Sequence, residues 1–477
     1  MLRNLVRARQ CYRSFSTIPR SLKKQKAVFI DDVQQLSQLD QSSVTGALQD
    51  IDINDSEEHS PISRGSAEAS FGRKRIGCVQ LPSDLKTAIH DTIAQVDKPL
   101  LRTDALRIYE SFRSTSKLPA ILEPSRKFDK QQKPIVADEG HTMTYGGRET
   151  VAYVAGAMPA TYAAIYNVLK ELKERISGFE PKNMLDFGTG PGTGIWAARE
   201  HFQLETCTGV DISEDMLRMA ENLIEKSGAA PLAGKTNFQR YFSYNPKQPK
   251  TDLVMSAFTL GDTPSEALRR SALESLWNQT GDVLVLIERG TPVGFQIIAQ
   301  AREWILENNS DVQEPVVHVV APCPHDKPCP LFRGEPLQPD RDWCHFSQRV
   351  ERPKFLMKTK HSKVNVEDAK YSYVVLRRGP RPNVTTAEQE DLETEAYSWP
   401  RLITPPLKKS KHVVMDVCSP EGEIQRMIIP KSQGKIPYRD ARKSAWGDLF
   451  PHSSKNPPVV RIKQKVQEDQ SVAEKNL

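Results

Sequence analysis

The sequence predicts a doubly wound α/β fold, Rossmann-like, with a parallel sheet between two helical layers. First, the apolar strand Asn183-Met184-Leu185-Asp186-Phe187 runs into Gly188-Thr189-Gly190-Pro191-Gly192-Thr193-Gly194 and then into helix-forming residues. Glycines let backbone pass close to a ligand, because no Cβ intervenes. Second, another apolar run ends in an acid at Gly209-Val210-Asp211-Ile212-Ser213, where a nucleoside-binding unit places the carboxylate for ribose hydroxyls. Third, apolar runs and amphipathic stretches alternate onward to about residue 305, the pattern of strands linked by crossover helices.

Two ligand classes share this layout. Dinucleotide sites favour G-x-G-x-x-G, whereas here Gly188, Gly190, Gly192 and Gly194 fall at every second position, behind Asp186. A strand-end acid repels a pyrophosphate but suits a cationic sulfonium or amino group. The D-x-G-x-G-x-G form resembles motif I of class I S-adenosylmethionine-dependent methyltransferases, and Ser213-Glu214-Asp215-Met216-Leu217 fits that family's D-x-S-x-x-M-L pattern. The resemblance implies a cofactor site built from Asp186, Gly188, Gly190, Gly192 and Asp211, the last holding the ribose.

The remaining elements follow in order. Residues 1–30 carry Arg3, Arg7, Arg9, Arg13, Arg20, Lys23, Lys24 and Lys26, and the first acid is Asp31. An Arg-rich, Ser-containing, acid-free amphipathic start reads as a mitochondrial transit peptide, with a matrix address. Residues 31–75, rich in Asp, Glu, Ser and Gln, read as a disordered linker. Residues 76–150 read as a helical module, with Ser83 capping a helix that carries Ile89 and Ile93 on one side. Pro159 opens a helix whose apolar stripe is Tyr162, Ile165, Val168, Leu169 and Leu172. Residues 151–400 form the nucleoside-binding domain. Its strands are expected at 183–187, 206–211, 236–241, 252–257 and 283–288, and its helices at 194–201, 213–226, 264–278 and 294–305. Two later runs, Cys344–Val350 and Tyr371–Arg377, supply the final strands, after a Pro- and Cys-rich insertion at about 315–350. Residues 401–477 read as a basic extension, with 14 Lys or Arg against 5 acids through Lys465.

The chain has 477 residues and a formal net charge of +6. Its mean hydropathy is −0.53, and no apolar run is long enough for a membrane span. Of the seven cysteines, Cys323, Cys329 and Cys344 form a compact group among prolines, in the stretches Cys323-Pro324-His325-Asp326-Lys327-Pro328-Cys329 and Trp343-Cys344-His345. A disulfide framework does not suit a reducing matrix, and clustered thiolates are soft ligands for zinc or iron–sulfur. Three sulfurs leave a site incomplete. Cys418 is the best fourth, Cys78 is possible, and Cys207 inside a predicted strand reads as a packed thiol. His325 or His345 would instead complete a zinc site, although His345 should point away from Cys344 along an extended run.

The motifs Cys323-Pro-His-Asp-x-x-Cys329-Pro-Leu, Cys344-His-Phe-Ser-Gln-Arg and Tyr371-x-Tyr-Val-Val-Leu-Arg-Arg-Gly379 together resemble the mitochondrial methyltransferase-like 17 family of small-ribosomal-subunit assembly proteins, of a fungal type. Met158-Pro-Ala-Thr-Tyr162 and Trp446-Gly-Asp-Leu-Phe-Pro451 fit as well, so the resemblance spans about residues 80–455. It implies S-adenosylmethionine binding and a [4Fe–4S] cluster on Cys323, Cys329, Cys344 and Cys418. It further implies binding to mitochondrial small-subunit rRNA and ribosomal proteins, as a monomer on the ribosomal precursor.

No catalytic residue is identifiable. Where amino-methylating enzymes carry Asn/Asp-Pro-Pro-Tyr/Phe, this chain reads Ser256-Ala257-Phe258-Thr259-Leu260-Gly261-Asp262. Asp262 and Glu288 end strands at the ligand edge, either facing the pocket or serving as caps and surface pairs. Three functions follow: an assembly factor with little or no methyl transfer, an active rRNA methyltransferase, or a stable small-subunit ribosomal protein. Lys408, Lys409, Lys411, Lys431, Lys435, Arg439, Arg442 and Lys443 are expected to meet RNA phosphates, with Tyr438 and Trp446 stacking on bases.

Overall fold

The computed structural model describes residues 65–114, 144–229, 232, 234–309, 316–332, 343–360, 362–382 and 391–462. The transit peptide, most of the linker and the last residues of the basic extension lie outside the described residues.

The chain opens with helix α1 (Ala67–Phe71), strand β1 (Cys78–Val79), and helices α2 (Ser83–Ala94), α3 (Lys98–Ser114), α4 (Gly147–Gly156) and α5 (Met158–Arg175). The α/β core follows as β2 (Asn183–Phe187), α6 (Thr193–Ala198), β3 (Thr206–Val210), α7 (Glu214–Ser227), β4 (Thr236–Gln239), β5 (Thr251–Ala257), α8 (Glu266–Gln279), β6 (Thr280–Arg289) and α9 (Pro292–Glu307). Strands β7 (Val317–Ala321), β8 (Phe346–Glu351) and β9 (Val366–Arg378) complete the main sheet, with helix α10 (Lys354–Thr359) between the last two.

Strands β4, β3, β2, β5 and β6 lie side by side and parallel. Counted from β2, their order is 3-2-1-4-5, so successive crossovers run in opposite directions from β2. That switch point opens a crevice at the carboxyl ends of β2 and β5. Strand β9 then pairs antiparallel with β6, β7 and β8, and β1 adds parallel to β8. Because both faces are covered, the central strands turn apolar residues to both sides rather than alternating. Val283, Val285 and Ile287 join one core with Met184, Leu253 and the helix residues Leu169 and Trp196. Leu284 and Leu286 join the opposite core with Leu185, Val254, Leu276 and Ile298. Adjacent strand residues thus serve opposite layers.

The doubly wound expectation holds, with several local corrections. Pro82, not Ser83, occupies the cap of α2 and makes no side-chain cap bond, while Ile89 and Ile93 are buried as expected. The end of the expected linker is folded: α1 is capped by Ser66, and the Lys74 side chain is buried. The stretch at 315–350 also supplies strands to the main sheet. Its described parts include β7, whose residues are all buried, and the start of β8, both laid against β9.

The basic extension contains a second sheet. Strands β10 (Arg401–Leu402), β11 (Leu407–Lys408), β12 (His412–Cys418), β13 (Ile424–Pro430) and β14 (Val459–Ile462) pair antiparallel. Val413, Met415 and Val417 face inward from β12, Met427 and Ile429 from β13, and Ala441 packs on them from helix α11 (Lys435–Lys443). The period-2 alternation was the available signal, obscured by the lysines around it.

Candidate functional site

The Gly-rich turn is held to the end of β3. Gly188 and Thr189 donate to the Val210 carbonyl at 2.7 and 2.9 Å, and Gly190 donates to Asp211 Oδ2 at 2.9 Å. Gly188, Gly190 and Gly192 all have positive φ, at 75°, 54° and 77°. Their surroundings differ. A Cβ on Gly188 would stand 2.0 Å from the Thr259 hydroxyl oxygen, whereas one on Gly190 would meet nothing within 4 Å. A Cβ on Gly194 would lie 2.6 Å from Asp186 Oδ2. Gly188 and Gly194 therefore permit internal packing, and Gly190 is the position where backbone faces open crevice.

Asp186 sits beneath the turn, 2% exposed, accepting the Thr189 hydroxyl at 2.8 Å. Burial raises its carboxyl to about 7, against the lowering effect of that hydrogen bond. It shapes the turn through that bond. Asp211 is half-buried, and its other oxygen accepts from the Ser213 amide at 2.9 Å. A carboxylate offers about four lone-pair sites, so both oxygens keep capacity toward a diol. Ser213 caps α7 through the Met216 amide and donates to the Tyr145 carbonyl at 2.7 Å. Gly190 and Asp211 thus fit the ribose end of a nucleoside, while Thr259 covers the turn at Gly188.

The strand-end acids belong to the scaffold. Glu288 is 2% exposed and accepts from the Gly261 amide at 2.9 Å. Asp262 lies 3.6 Å from Arg289, whose guanidinium stands 3.9 Å from the Phe112 ring centroid. Phe258, at the position of the missing Pro-Pro pair, has φ of 59°, a strained conformation for an aromatic residue. Phe258, Arg289, Tyr109 and Phe112 line a cavity of about 560 Å3 between α3, α4 and the carboxyl ends of β5 and β6. Sequence reasoning missed it, because its aromatic wall comes from the N-terminal helices.

The second feature gathers cysteines. Cys323, Cys329, Cys344 and Cys418 all line one cavity, floored by Phe295, Ile298 and Val374 and flanked by Arg302 and Arg401. They arrive from the loop after β7, from the residue pair before β8, and from the last residue of β12. Several bonds hold the first loop. Asp326 accepts from the Val319 amide at 2.8 Å and pairs with Arg381 at 2.9 Å, and Glu303 accepts from the Cys329 amide at 3.0 Å. Cys418 lies opposite Arg401 in the β10–β12 register, so both side chains share one face. Burial pushes the Cys329 thiol up to about 12 and raises Cys344 and Cys418, with neighbouring sulfurs adding to the effect.

Of the other sulfur and histidine candidates, His325 alone among those described lies against the group. Cys207 is a packed thiol in β3 and Cys78 is exposed. His345 stacks on Trp343 with ring centroids 5.1 Å apart, away from the cavity. His325 Nε2 lies 3.3 Å from Cys418 Sγ. Among the described residues no group of three or more His, Cys, Asp or Glu side chains is arranged to hold a single metal ion. The donor set still has a definite chemistry: four soft sulfurs, two buried guanidiniums and, among the described residues, no carboxylate on the cavity wall. It fits an anionic, sulfur-ligated group.

The basic residues also converge. The Lys431 amide donates to the Lys411 carbonyl at 2.8 Å and Arg442 to the Lys409 carbonyl at 3.2 Å, which brings these four cations to one end of the second sheet. Lys409, Lys411, Lys431 and Arg442 are exposed. The expected stacking aromatics are engaged internally: Tyr438 packs on the core of this sheet and donates to Ser410, and Trp446 meets His345 edge-on at 4.8 Å. Among the described residues no helix is long and apolar enough to cross a membrane.

Comparison with known proteins follows the same lines. The sequence profile of the family described as mitochondrial small ribosomal subunit Rsm22 matches residues 147–451. The Rsm22-cox11 tandem protein 2, mitochondrial, of Schizosaccharomyces pombe is 32% identical over 410 residues, covering 80% of this chain and 52% of that protein. The human mitochondrial ribosome assembly protein METTL17 is 33% identical over 317 residues, covering 65% of this chain and 64% of that protein. This chain therefore spans about half to two thirds of the length of these relatives. Among solved structures, a SAM-dependent methyltransferase from Aquifex aeolicus is 19% identical, covering 37% of this chain and 90% of its own, with a TM-score of 0.27. The family profile overlaps the crevice, the four cysteines and most of the second sheet: the chain belongs to the mitochondrial small ribosomal subunit Rsm22 family.

Proposed function

We propose that this chain is a mitochondrial assembly factor of the small ribosomal subunit. It binds S-adenosylmethionine at Gly190 and Asp211, carries a [4Fe–4S] cluster on Cys323, Cys329, Cys344 and Cys418, contacts rRNA through its second sheet, and transfers methyl groups little or not at all. The carrying observation is the convergence of four cysteines, separated by up to 95 positions (418 − 323), on one cavity. A zinc ion needs its sulfurs about 2.3 Å from one point. A four-iron cluster would take one thiolate from each of Cys323, Cys329, Cys344 and Cys418, which matches four cysteines on one cavity wall. When bound, the cluster supplies a covalent cross-link and an electron-accepting centre.

The chain's own residues do the rest. Glu303, Asp326 and Arg381 hold the Cys323–Cys329 loop to α9 and β7, and β12 brings Cys418 from the second sheet. Cluster loading thereby ties the α/β core to the basic surface, so competence for RNA depends on cofactor delivery; metal-coupled folding of zinc domains follows the same logic.

Anaerobic purification with an absorption spectrum, iron, sulfide and zinc counts, and co-sedimentation with immature small subunits tests this reading. About four irons per chain and binding to the immature subunit are expected. Stoichiometric zinc, or equal occupancy on mature ribosomes, would sink it. A second reading, an active rRNA methyltransferase, is favoured by the aromatic and basic cavity beside Phe258 and Arg289, which has the character of a base pocket. Loss of one specific rRNA methyl mark in an Arg289→Ala strain would establish that reading instead.

A further inference from the structure

Arg302 lies on α9 and is 3% exposed. One of its amino nitrogens, Nη2, donates to the His325 and Lys327 carbonyls at 2.8 and 2.9 Å, which fixes the side chain under the cysteine loop. Its Nε and Nη1 are buried and have no hydrogen-bond partner. The side chain lines the cavity that the four cysteines share.

The adjacent carboxylates Asp326 and Glu303 attract Arg302 through space but accept no hydrogen bond from its Nε or Nη1. Asp326 pairs with Arg381 at 2.9 Å, and Glu303 accepts the Cys329 amide at 3.0 Å. The contrast with Arg401, the other guanidinium on this wall, is informative. Arg401 lies 2.7 Å from Glu171, so its charge is already answered. A guanidinium cannot escape burial by losing its proton, and buried charged donors left without an acceptor are strongly unfavourable. Two unpaired donors on a buried cation therefore point to an anion in the cavity.

We infer that Arg302 is the electrostatic counterpart of the negatively charged cluster held by the four cysteines, and that it sets how readily the cluster takes an electron. The inference rests on the cluster reading above. A four-thiolate cube is anionic, and one electron from an added reductant such as dithionite makes it more so, with no bond made or broken. A fixed positive charge with free N–H donors favours the reduced form, because hydrogen bonds and charge near the sulfurs tune the potential. Arg302 is thus a positioning residue for charge, not a ligand.

The test uses full-length protein purified anaerobically: wild type, Arg302→Met and Arg302→Lys. Iron and sulfide per chain are counted, and the midpoint potential is read by EPR during dithionite titration. At the wild-type midpoint, Arg302→Met is expected to shift the reduced-to-oxidised ratio about tenfold toward oxidised, equivalent to ~59 mV for one electron. Arg302→Lys, which keeps the charge, is expected to stay near wild type. Arg302→Met with wild-type iron and an unmoved midpoint would overturn the inference while leaving the cluster in place. Wild-type protein without iron would remove both. Should Arg302→Met not fold, pulsed EPR of reduced protein grown on 15N-arginine, wild type against Arg302→Lys, decides: a nitrogen coupling lost in Arg302→Lys supports the assignment, and an unchanged spectrum refutes it.

Discussion

Two carboxylates show how one chemical group takes different roles by placement. Asp186 opposes Gly209 and Met255 at the centre of the sheet, where burial raises it to about 7 from an ordinary 3.8. The folded state therefore holds a proton between about pH 4 and 7 that the unfolded chain has released. Stability falls as pH rises through that window and is least above it. Asp186→Asn keeps the acceptor for Thr189 and removes the ionisation. Its stability advantage over wild type is expected to grow by ~1.4 kcal/mol per pH unit within the window, measured as urea midpoints at pH 5 and pH 8. An equal difference at both values would refute the assignment.

Glu171 behaves oppositely. Burial pushes its carboxyl up, but Arg401 at 2.7 Å and Lys74 at 2.6 Å, helped by the Tyr373 hydroxyl, pull it below the usual carboxylate range. Glu171→Gln leaves two buried cations without an anion. A loss of about 3–5 kcal/mol is expected, read by chemical denaturation; a loss under 1 kcal/mol would mean that the cations find another partner.

At the scale of elements, β12 links the two sheets to one function. Its inward residues Val413, Met415 and Val417 bury the second core, and its last residue is Cys418. Met415→Ala is expected to cost about 2–5 kcal/mol through the cavity it leaves. By loosening β12 it should also shorten the time for which iron resists an added chelator. Unchanged iron release at reduced stability would show that Cys418 is held independently of the strand. The register pairing of Arg401 with Cys418 explains why the short β10 matters: one strand pair brings a sulfur and an arginine to the same wall.

At the scale of the whole molecule, the net charge of +6 understates the asymmetry. The basic end of the second sheet presents Lys409, Lys411, Lys431 and Arg442 together, while the aromatics nearby are engaged in packing. Binding there is expected to be phosphate-led and sensitive to salt. Replacing these four by alanine should lower the slope of log K against log salt by about 2–3, measured with small-subunit rRNA. An unchanged slope would place the RNA surface elsewhere.

What was legible in the sequence was local. The alternation of strands and helices, the Gly-rich turn after β2 and the acid after β3 follow from hydrophobic period, Cβ sterics and turn chemistry, all of which act within a few residues. Other features were not legible from spacing. That Gly188 accommodates Thr259, that Arg289 meets Phe112, and that Trp446 packs on His345 are contacts between segments distant in the chain. The second sheet lay between these cases, its alternation present but masked by lysines. The sequence by itself determined the doubly wound fold and the family. That the four cysteines share their wall with Arg302, whose Nε and Nη1 have no partner, came from the folded chain alone, because proximity across that span is set by how two sheets pack and not by any periodicity along the chain.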